Sequence, residues 1–297
     1  MTYNGTAITS LNGIVASVVN VEHITANLLG GTDLLNYGST SSNVSVDLGA
    51  QTASGFSTIN DVENVTGGAG ADALTGDSLA NILSGGGNND TLTGGGGDDT
   101  TLGGAGNDRF VATINDGNDT YNGGAGVDTY DLRLTSAGAV ITATSAVGSE
   151  IGSDSLSGIE NVVGSQGNDN ITLNGNSNVI DGQGGDDVID AGGSNDVIIG
   201  GAGNDTMNGG SGNDTFVFAA GFGHDVVIGF DADPRNGGQD FLDISGHGIS
   251  AATFSGSVSI VDLGVDTLVT IDGHSIMLLG GNGIGANIIT QQDFLLA

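Results

Sequence analysis

The sequence predicts an all-β protein, built as a parallel solenoid in two repeat blocks with a β-rich cap at its C-terminal end. The first observation is composition, since 57 of the 297 residues are glycine and they are spread along the chain. Glycine costs about 1 kcal/mol relative to alanine inside a helix, so this distribution argues against a helical bundle. The second observation is a nine-residue period, and the third is an apolar residue that recurs within it. Together they favour short strands that stack on one another.

The nine-residue period runs through two blocks, residues 67–131 and residues 164–217. The first block holds seven nonapeptides, with a two-residue insertion at Ala112 and Thr113, and the second block holds six. A Val-Glu-Asn-Val sequence around Glu63 leads into the first block, and an Ile-Glu-Asn-Val sequence around Glu160 leads into the second, 97 residues later. This correspondence indicates that the two blocks arose by duplication.

Each nonapeptide combines a turn with a short strand. The first six residues are rich in Gly, Asn and Asp, which tolerate positive φ and form turns. The last three form a strand whose middle residue, at the eighth position, has one side to bury. Three-residue strands are not stable alone, so they must stack on one shared core. The eighth positions, all apolar except Thr101, are Leu74, Leu83, Leu92, Thr101, Phe110, Tyr121, Tyr130, Ile171, Ile180, Ile189, Ile198, Met207 and Phe216.

The sixth position carries an aspartate in most repeats. If each nonapeptide makes half a turn, residues 18 apart lie one above another and these acids form columns. Carboxylates stacked at the sheet spacing of roughly 4.7–4.9 Å repel one another unless a cation lies between them. Hard oxygen ligands, without Cys or His, select Ca²⁺ over a transition metal. We therefore predict several Ca²⁺ ions, with ligands from Asp72, Asp90, Asp99, Asp108, Asp119, Asp128, Asp169, Asp187, Asp196, Asp205, Asp214 and, at the last turn, Asp225.

The charge balance excludes several function classes. The chain has 35 acidic and 3 basic residues and a formal charge of −32, so it lacks the basic face that nucleic-acid binding needs. Arg109, Arg133 and Arg235 are too few and too scattered to bind a polyanion. The chain has no lysine for a phosphate-binding loop or a Schiff base, and no cysteine for a disulfide or a thiolate metal site. No run of 18 apolar residues is present, so we expect no membrane span.

The pattern GGxGxDxUx, in which U is a large apolar residue, resembles the RTX (repeats-in-toxin, haemolysin-type) family of calcium-binding proteins. The repeats GGAGNDRFV and GGSGNDTFV match it at every motif position, and the tail sequences GFGHDVVIGFD and DFLDISGHGI are similar to the family's C-terminal region. The resemblance implies a calcium-loaded parallel β-roll, in which the six-residue turns bind Ca²⁺ through the Asp carboxylate and backbone carbonyls. It also implies a secreted, extracellular protein that leaves the cell unfolded through type I secretion machinery, which reads an uncleaved C-terminal signal. The apolar run at residues 14–21 is short and interrupted, so we expect no cleavable N-terminal signal peptide.

Several repeats depart from the family pattern. Asn81 and Asn178 replace the sixth-position aspartate and are weaker ligands. Asn88 and Ser194 replace the glycine at the fourth position, where we expect a positive φ. The two-residue insertion interrupts the 18-residue register in the first block. We therefore expect about six to ten bound ions, with the best sites in the second block; about eight would halve the formal charge of −32 to about −16.

The composition also divides the chain into segments. Val44 to Leu48 alternates with period two and predicts a longer strand of the same solenoid, as residues 140–144 do less regularly. A wall that grips a polysaccharide is the alternative for these strands, although no aromatic platform is visible there. Residues 258–263, 267–271 and 275–279 predict the strands of an end cap. The predicted segments are an N-terminal strand-rich lead-in (1–66), the first β-roll block (67–131), a strand-rich connector (132–163), the second β-roll block (164–230), and the cap with the secretion signal (231–297).

No catalytic motif is visible, so we expect a protein that is not an enzyme. The four histidines, at positions 23, 224, 247 and 274, begin no HExxH motif, and no serine has the glycine spacing of a nucleophile elbow. Adjacent carboxylates such as Asp186 and Asp187 occupy the fifth and sixth positions. A ligand with an exposed neighbour explains them better than a glycosidase dyad does.

Three functions from different classes were weighed against these observations. The first is a secreted calcium-binding protein with a structural or adhesive role, which folds when Ca²⁺ binds outside the cell. Its expected partners are calcium, type I secretion machinery and a cell-surface or extracellular polysaccharide. The second is the C-terminal calcium-binding and secretion portion of, or a companion to, a secreted protease, lipase or alginate epimerase. The third, a carbohydrate-binding or ice-binding solenoid, needs a regular outward array of Thr or aromatic residues, which we do not find.

Overall fold

The computed structural model describes residues 31–232, 238–280 and 289–297, together with the backbone of three short strands before residue 31. The apolar run at residues 14–21, His23 and Arg235 lie outside the described residues. Within this part of the chain, no helix is long and apolar enough to cross a membrane. The chain divides into two compact units: unit 1 is Met1–Thr135 with Thr144–Ile159, and unit 2 is Ser136–Ala143 with Glu160–Ala297.

The described residues form short strands almost throughout. Helical structure is limited to α1 (Phe254–Ser257) and two 3₁₀ turns, at Ser245–His247 and Gln291–Asp293. The strands up to the end of the first repeat block are β1 (Thr2–Tyr3), β2 (Ile8–Ser10), β3 (Thr25–Asn27), β4 (Leu34–Asn36), β5 (Ser45–Asp47), β6 (Thr52–Ala53), β7 (Thr58–Asn60), β8 (Asn64–Thr66), β9 (Ala73–Thr75), β10 (Ile82–Gly87), β11 (Thr91–Thr93), β12 (Thr100–Ala105), β13 (Arg109–Val111), β14 (Thr120–Ala125) and β15 (Thr129–Asp131). The later strands are β16 (Ala139–Thr142), β17 (Ser145–Gly148), β18 (Gly152–Ser157), β19 (Asn161–Val163), β20 (Asn170–Thr172), β21 (Val179–Asp181), β22 (Val188–Asp190), β23 (Val197–Ile199), β24 (Thr206–Asn208), β25 (Thr215–Val217), β26 (His224–Ile228), β27 (Phe241–Asp243), β28 (Val258–Asp262), β29 (Thr267–Ile271), β30 (His274–Leu279) and β31 (Phe294–Leu295).

In unit 1 the strands form two parallel ladders. The first runs β4–β8–β10–β12–β14–β18, and the second runs β5–β9–β11–β13–β15. The chain passes from one ladder to the other at each repeat, so residues 18 apart, such as Leu74 and Leu92, are neighbours. Across the two-residue insertion the step becomes 20 residues, as between Thr101 and Tyr121. The ladder therefore absorbs the insertion and keeps its register.

Unit 2 repeats this arrangement. Its first ladder runs β16–β20–β22–β24–β26–β30, and its second runs β19–β21–β23–β25–β27–β31. The predicted cap strands correspond to β28, β29 and β30, which form an antiparallel sheet. Because β30 also pairs in parallel with β26, this sheet covers the last edge of the first ladder.

The core lies between the two ladders and is filled by the eighth positions. All thirteen of these side chains are at most 1% exposed, including the polar Thr101. The Thr101 hydroxyl donates to the carbonyl oxygen of Thr120 at 3.4 Å, so its burial leaves no orphaned donor. The turns adopt the positive φ expected at the fourth position, with 65° at Asn88 and 77° at Ser194. An all-β parallel β-roll solenoid is therefore confirmed, whereas the five-segment division stays a prediction.

Candidate metal sites

The predicted columns are present in unit 1, where each sixth-position carboxylate hydrogen-bonds to the coil before it. The Oδ1 atom of Asp90 accepts the backbone N–H of Asp72, and Oδ1 of Asp108 accepts the N–H of Asp90, both at 2.7 Å. Asp128 accepts from Asp108 in the same way at 2.7 Å. The carboxylate thereby fixes the register of consecutive coils. The second column repeats this bond from Asn81 to Asp99, from Asp99 to Asp119 and from Asp119 to Asp154, at 2.7, 2.8 and 2.9 Å.

Unit 2 carries two columns of the same kind. The N–H of Asp169 donates to Oδ1 of Asp187 at 2.8 Å, and the N–H of Asp187 donates to Oδ1 of Asp205 at 2.9 Å. Asp225 accepts from Asp205 at 3.0 Å, which places this residue at the end of the column. The second column runs from Asn178 to Asp196, from Asp196 to Asp214 and from Asp214 to Asp240, at 2.8, 2.9 and 2.9 Å.

The other carboxylate oxygen, Oδ2, has no hydrogen-bond partner among the described residues at eight of these positions. Each of the eight residues is at most 2% exposed. An ionised oxygen that is buried without a partner is costly, so each position requires a source of positive charge. The eight residues are Asp90, Asp99, Asp108, Asp187, Asp196, Asp205, Asp214 and Asp225.

In six of these eight repeats the unpartnered oxygen lies against a glycine at the repeat's first position. A methyl group built on Gly182 would overlap Oδ2 of Asp187 and would lie 2.5 Å from the carbonyl oxygen of Gly200. A methyl group on Gly103 would likewise overlap Oδ2 of Asp108 and lie 2.7 Å from a carbonyl oxygen, that of Gly123. The absence of a side chain at the first glycine therefore lets the carboxylate and, in these two repeats, a backbone carbonyl oxygen lie close together against the chain.

Burial raises the pKa of these carboxyl groups. Desolvation raises the pKa of Asp187 to about 8; the backbone hydrogen bond lowers it in part, and neighbouring carboxylates raise it further. Desolvation also raises the pKa of Asp225, Asp90 and Asp99 to about 7 and that of Asp205 to about 6. Without a cation, several of these groups therefore hold a proton near neutral pH.

The donor set fits Ca²⁺. Unpartnered carboxylate oxygens lie at turns whose backbone carbonyl oxygens are close by, and these are the ligands that Ca²⁺ prefers. Among the described residues, no group of three or more His, Asp or Glu side chains is placed to hold a metal ion by itself. Backbone carbonyls must therefore complete each coordination shell, and a bound Ca²⁺ would supply the charge that the buried carboxylates lack. The assignment of individual ligands stays a prediction.

Three of the predicted ligands differ from these eight, because a donor of the protein reaches their second oxygen. Oδ2 of Asp72 accepts the N–H of Gly68 at 2.7 Å. Oδ2 of Asp169 accepts the N–H of Ser165 at 2.7 Å. Oδ2 of Asp119 accepts the hydroxyl of Tyr121 at 2.8 Å. The twelve predicted ligands thus occupy equivalent places along the columns but do not have equivalent surroundings.

The sequence prediction missed two members of the columns, Asp154 and Asp240. They stand at the sixth position of two degenerate nonapeptides, SEIGSDSLS at 149–157 and RNGGQDFLD at 235–243. Each keeps the eighth-position leucine as well, as Leu156 and Leu242, and both leucines are buried. Extending the sixth-and-eighth spacing beyond the two blocks would have found them.

In the two repeats with asparagine at the sixth position, a side-chain NH₂ group faces the preceding coil, where other repeats present a carboxylate oxygen. Nδ2 of Asn81 donates to the carbonyl oxygen of Glu63 at 2.8 Å, and Nδ2 of Asn178 donates to the carbonyl oxygen of Glu160. The two lead-in sequences thus make the same contact in both units. This correspondence agrees with the predicted duplication.

The fifth positions form a second, outer ladder that the sequence did not predict. Oδ1 of Asp186 accepts the N–H of Asn204 at 2.8 Å, and Oδ1 of Asn168 accepts the N–H of Asp186 at 2.9 Å. These bonds run in the opposite direction to those of the inner ladder, from the later coil to the earlier one. Where the fifth position carries Asp or Asn, the exposed neighbour of the predicted ligand can therefore also fix the register.

Comparison with protein-family models identifies the repeats. The RTX calcium-binding nonapeptide repeat matches the chain in four copies, at residues 75–110, 115–130, 154–189 and 181–216. Among solved structures, the chain is similar to the extracellular lipase LipA from Serratia marcescens, with 18% sequence identity and a TM-score of 0.32. The match covers 79% of this chain and 40% of the lipase chain, and no curated protein matches. The predicted RTX repeats are confirmed, and these repeats bind several Ca²⁺ ions.

Proposed function

We propose that this RTX-repeat protein is a secreted structural or adhesive protein whose fold forms when Ca²⁺ binds outside the cell. The observation that carries the proposal is the set of eight buried carboxylates with an unpartnered second oxygen. In a chain with a formal charge of −32, each folded coil adds a buried negative charge to the one before it. Ca²⁺ is the ligand that removes this cost, so ion binding and folding are coupled.

The coupling suits export. At low cytosolic Ca²⁺ the carboxylates repel one another, and the chain stays extended enough for type I secretion machinery. Outside the cell, calcium levels comparable to the ~10⁻⁴–10⁻³ M affinities of extracellular modules close the roll. The folded, acidic solenoid is then available to attach to a cell-surface or extracellular polysaccharide.

The test is a far-UV circular dichroism titration of the EDTA-stripped protein with Ca²⁺, with Mg²⁺ as the control. We expect a cooperative transition from coil to β structure at sub-millimolar to millimolar Ca²⁺ and no transition with Mg²⁺, which demands a stricter geometry. A chain that is fully folded in EDTA and does not respond to Ca²⁺ would contradict the proposal. In that case the acidic columns would need another explanation, such as adaptation to high salt.

A further inference from the structure

At two positions of one column in unit 1, a tyrosine hydroxyl donates a hydrogen bond to the second oxygen of the carboxylate. Oδ2 of Asp119 accepts the hydroxyl of Tyr121 at 2.8 Å, and Oδ2 of Asp154 accepts the hydroxyl of Tyr130 at 2.6 Å. The Oδ1 atoms of both carboxylates accept a backbone N–H, so both oxygens of each carboxylate have a hydrogen-bond donor. All four residues are buried. These hydrogen bonds are charge-assisted and belong to the stronger class.

The hydroxyls come from the eighth position, which elsewhere carries no comparable donor. Tyr121 and Tyr130 are buried at the eighth position of their repeats, as Ile189 and Ile198 are in unit 2. The aspartates of those two isoleucine repeats, Asp187 and Asp196, keep an unpartnered Oδ2. A phenol that reaches across the core therefore supplies, at Asp119 and Asp154, the partial positive charge that the other steps lack.

A third buried carboxylate in the same region is neutralised by arginine, whereas a fourth, Asp116, accepts the N–H of Thr113 through Oδ2 at 2.7 Å and keeps an unpartnered Oδ1. Asp131 is fully buried and receives Nε of Arg109 at 2.6 Å and Nε of Arg133 at 3.0 Å. These two arginines therefore converge on one carboxylate, a contact that the sequence did not predict. The rings of Phe110, Tyr121 and Tyr130 add edge-to-face contacts, with centroids 5.7 and 5.1 Å apart.

We propose that Tyr121 and Tyr130 take the place of calcium at two steps of the column, so that residues 109–132 and 144–157 fold without the ion. We call these residues the tyrosine coils. The inference rests on the proposed coupling of folding to Ca²⁺. It adds that the roll begins to form in the tyrosine coils. Once the tyrosine coils are folded, they present a paired edge on which calcium-dependent coils add one after another.

Hydrogen–deuterium exchange of the full chain, read by peptide mass spectrometry in EGTA and in saturating Ca²⁺, tests the inference. In EGTA we expect peptides from the tyrosine coils to exchange at least tenfold more slowly than peptides from residues 182–217. In Ca²⁺ both regions are expected to be protected. The Tyr121→Phe/Tyr130→Phe double variant keeps the rings and removes the hydroxyls, so it is expected to lose the protection in EGTA and keep it in Ca²⁺.

Tyr37→Phe is the matched control, because Tyr37 is also buried and its hydroxyl donates to a backbone carbonyl, that of Ser54, at 2.7 Å. This control is expected to leave exchange in the tyrosine coils unchanged. Ca²⁺-induced protection of residues 182–217, without any difference between the regions in EGTA, would overturn the inference and leave the proposed function intact. A double variant that behaves like the control would overturn the role of the hydroxyls. If Ca²⁺ protects no region, the proposed function itself fails.

Discussion

The tyrosine coils of unit 1 and the aspartate columns of unit 2 are built from the same nonapeptide. They differ in whether the second carboxylate oxygen, Oδ2, has a hydrogen-bond donor. In both regions Oδ1 accepts a backbone N–H of the preceding coil, as Asp119 and Asp205 do at 2.8 and 2.9 Å. In unit 2 the Oδ2 atom of Asp205 is unpartnered, whereas a tyrosine meets that of Asp119. The comparison separates two tasks of one side chain. Oδ1 sets the register of the coils, and the surroundings of Oδ2 decide whether the coil depends on an ion.

The largest effect is expected from a pair of glycine variants with equal local geometry. Gly126 in the tyrosine coils and Gly203 in unit 2 both have φ of +146°, and a methyl group on either would overlap the carbonyl oxygen of the previous coil. Each alanine substitution should cost about 3 kcal/mol, since it combines backbone strain with overlap against backbone atoms. Gly126→Ala should abolish protection of the tyrosine coils in EGTA, whereas Gly203→Ala should weaken only the calcium-dependent protection of unit 2.

The control for this pair is Gly175→Ala, because a methyl group there would meet nothing within 4 Å. It is expected to change the thermal midpoint little in either condition. Region-resolved hydrogen exchange and thermal unfolding in EGTA and in Ca²⁺ are the measurements. If both variants reduced protection equally in both regions, the two regions would fold as one cooperative body and the comparison would be wrong.

The repeat made most of the fold predictable. A fixed period of nine residues leaves one arrangement in which the eighth positions share a core and the sixth positions form columns, so Leu74 and Leu92 could be paired from spacing alone. The positive φ of Asn88 and Ser194 followed from the glycines at the same position in other repeats. Local turn chemistry and global stacking agree in such a sequence, which is why the prediction was confirmed.

The contacts between residues that the period does not connect could not be predicted. Asp154 is 35 residues from Asp119, its partner in the column, so no constant step connects them. Periodicity placed Tyr121 in the core but carries no information on where its hydroxyl points. The contact between Arg109 and Asp131 spans 22 residues and joins a seventh to a ninth position, which the repeat rule does not pair. These contacts depend on how the side chains pack in three dimensions, which cannot be inferred from a single sequence.

A pH series in EGTA should change the free energy of unfolding by an intermediate amount. It should also separate unit 2 from the tyrosine coils by the pH at which each loses stability. The pKa of Asp187 in the folded chain is about 8, against an ordinary value of 3.8, because of desolvation. A raised folded pKa means that the associated stability is fully present below the unfolded pKa and is lost as the pH rises through about 8. Acidification from pH 8 to pH 6 should therefore stabilise calcium-free unit 2 by roughly 2 kcal/mol.

In the tyrosine coils the corresponding window lies lower, around pH 6 to 7, since desolvation raises the pKa of Asp154 to about 6 and that of Asp116 to about 7. Urea unfolding followed by circular dichroism at pH 8, 7 and 6 measures the total effect. Region-specific proteolysis at each pH assigns that effect to unit 2 or to the tyrosine coils. Saturating Ca²⁺ is the control, because a bound ion keeps the carboxylates ionised and should flatten the dependence above pH 6. Loss of stability on acidification in EGTA would contradict the assignment of unpartnered, desolvated carboxylates.

The smallest effect, and the one that addresses the comparison most directly, is expected from Asp205→Asn and Asp119→Asn. Asparagine in the orientation that keeps Oδ1 as the acceptor of the preceding coil's N–H replaces Oδ2 by an NH₂ group. At Asp205 the NH₂ group would take the place of the unpartnered Oδ2, against Gly200. The loss of a charged ligand should raise the Ca²⁺ midpoint about tenfold, equivalent to about 1.4 kcal/mol. At Asp119 the NH₂ group would face the Tyr121 hydroxyl, which can accept a hydrogen bond, so the Ca²⁺ midpoint should change less than about twofold.

Calcium titrations by circular dichroism and calorimetry, run on both variants and the unmodified chain, measure this difference between the two midpoints. If Asp119→Asn raised the midpoint as far as Asp205→Asn, then Asp119 would be a calcium ligand after all. Tyr121 would then support the ion rather than replace it.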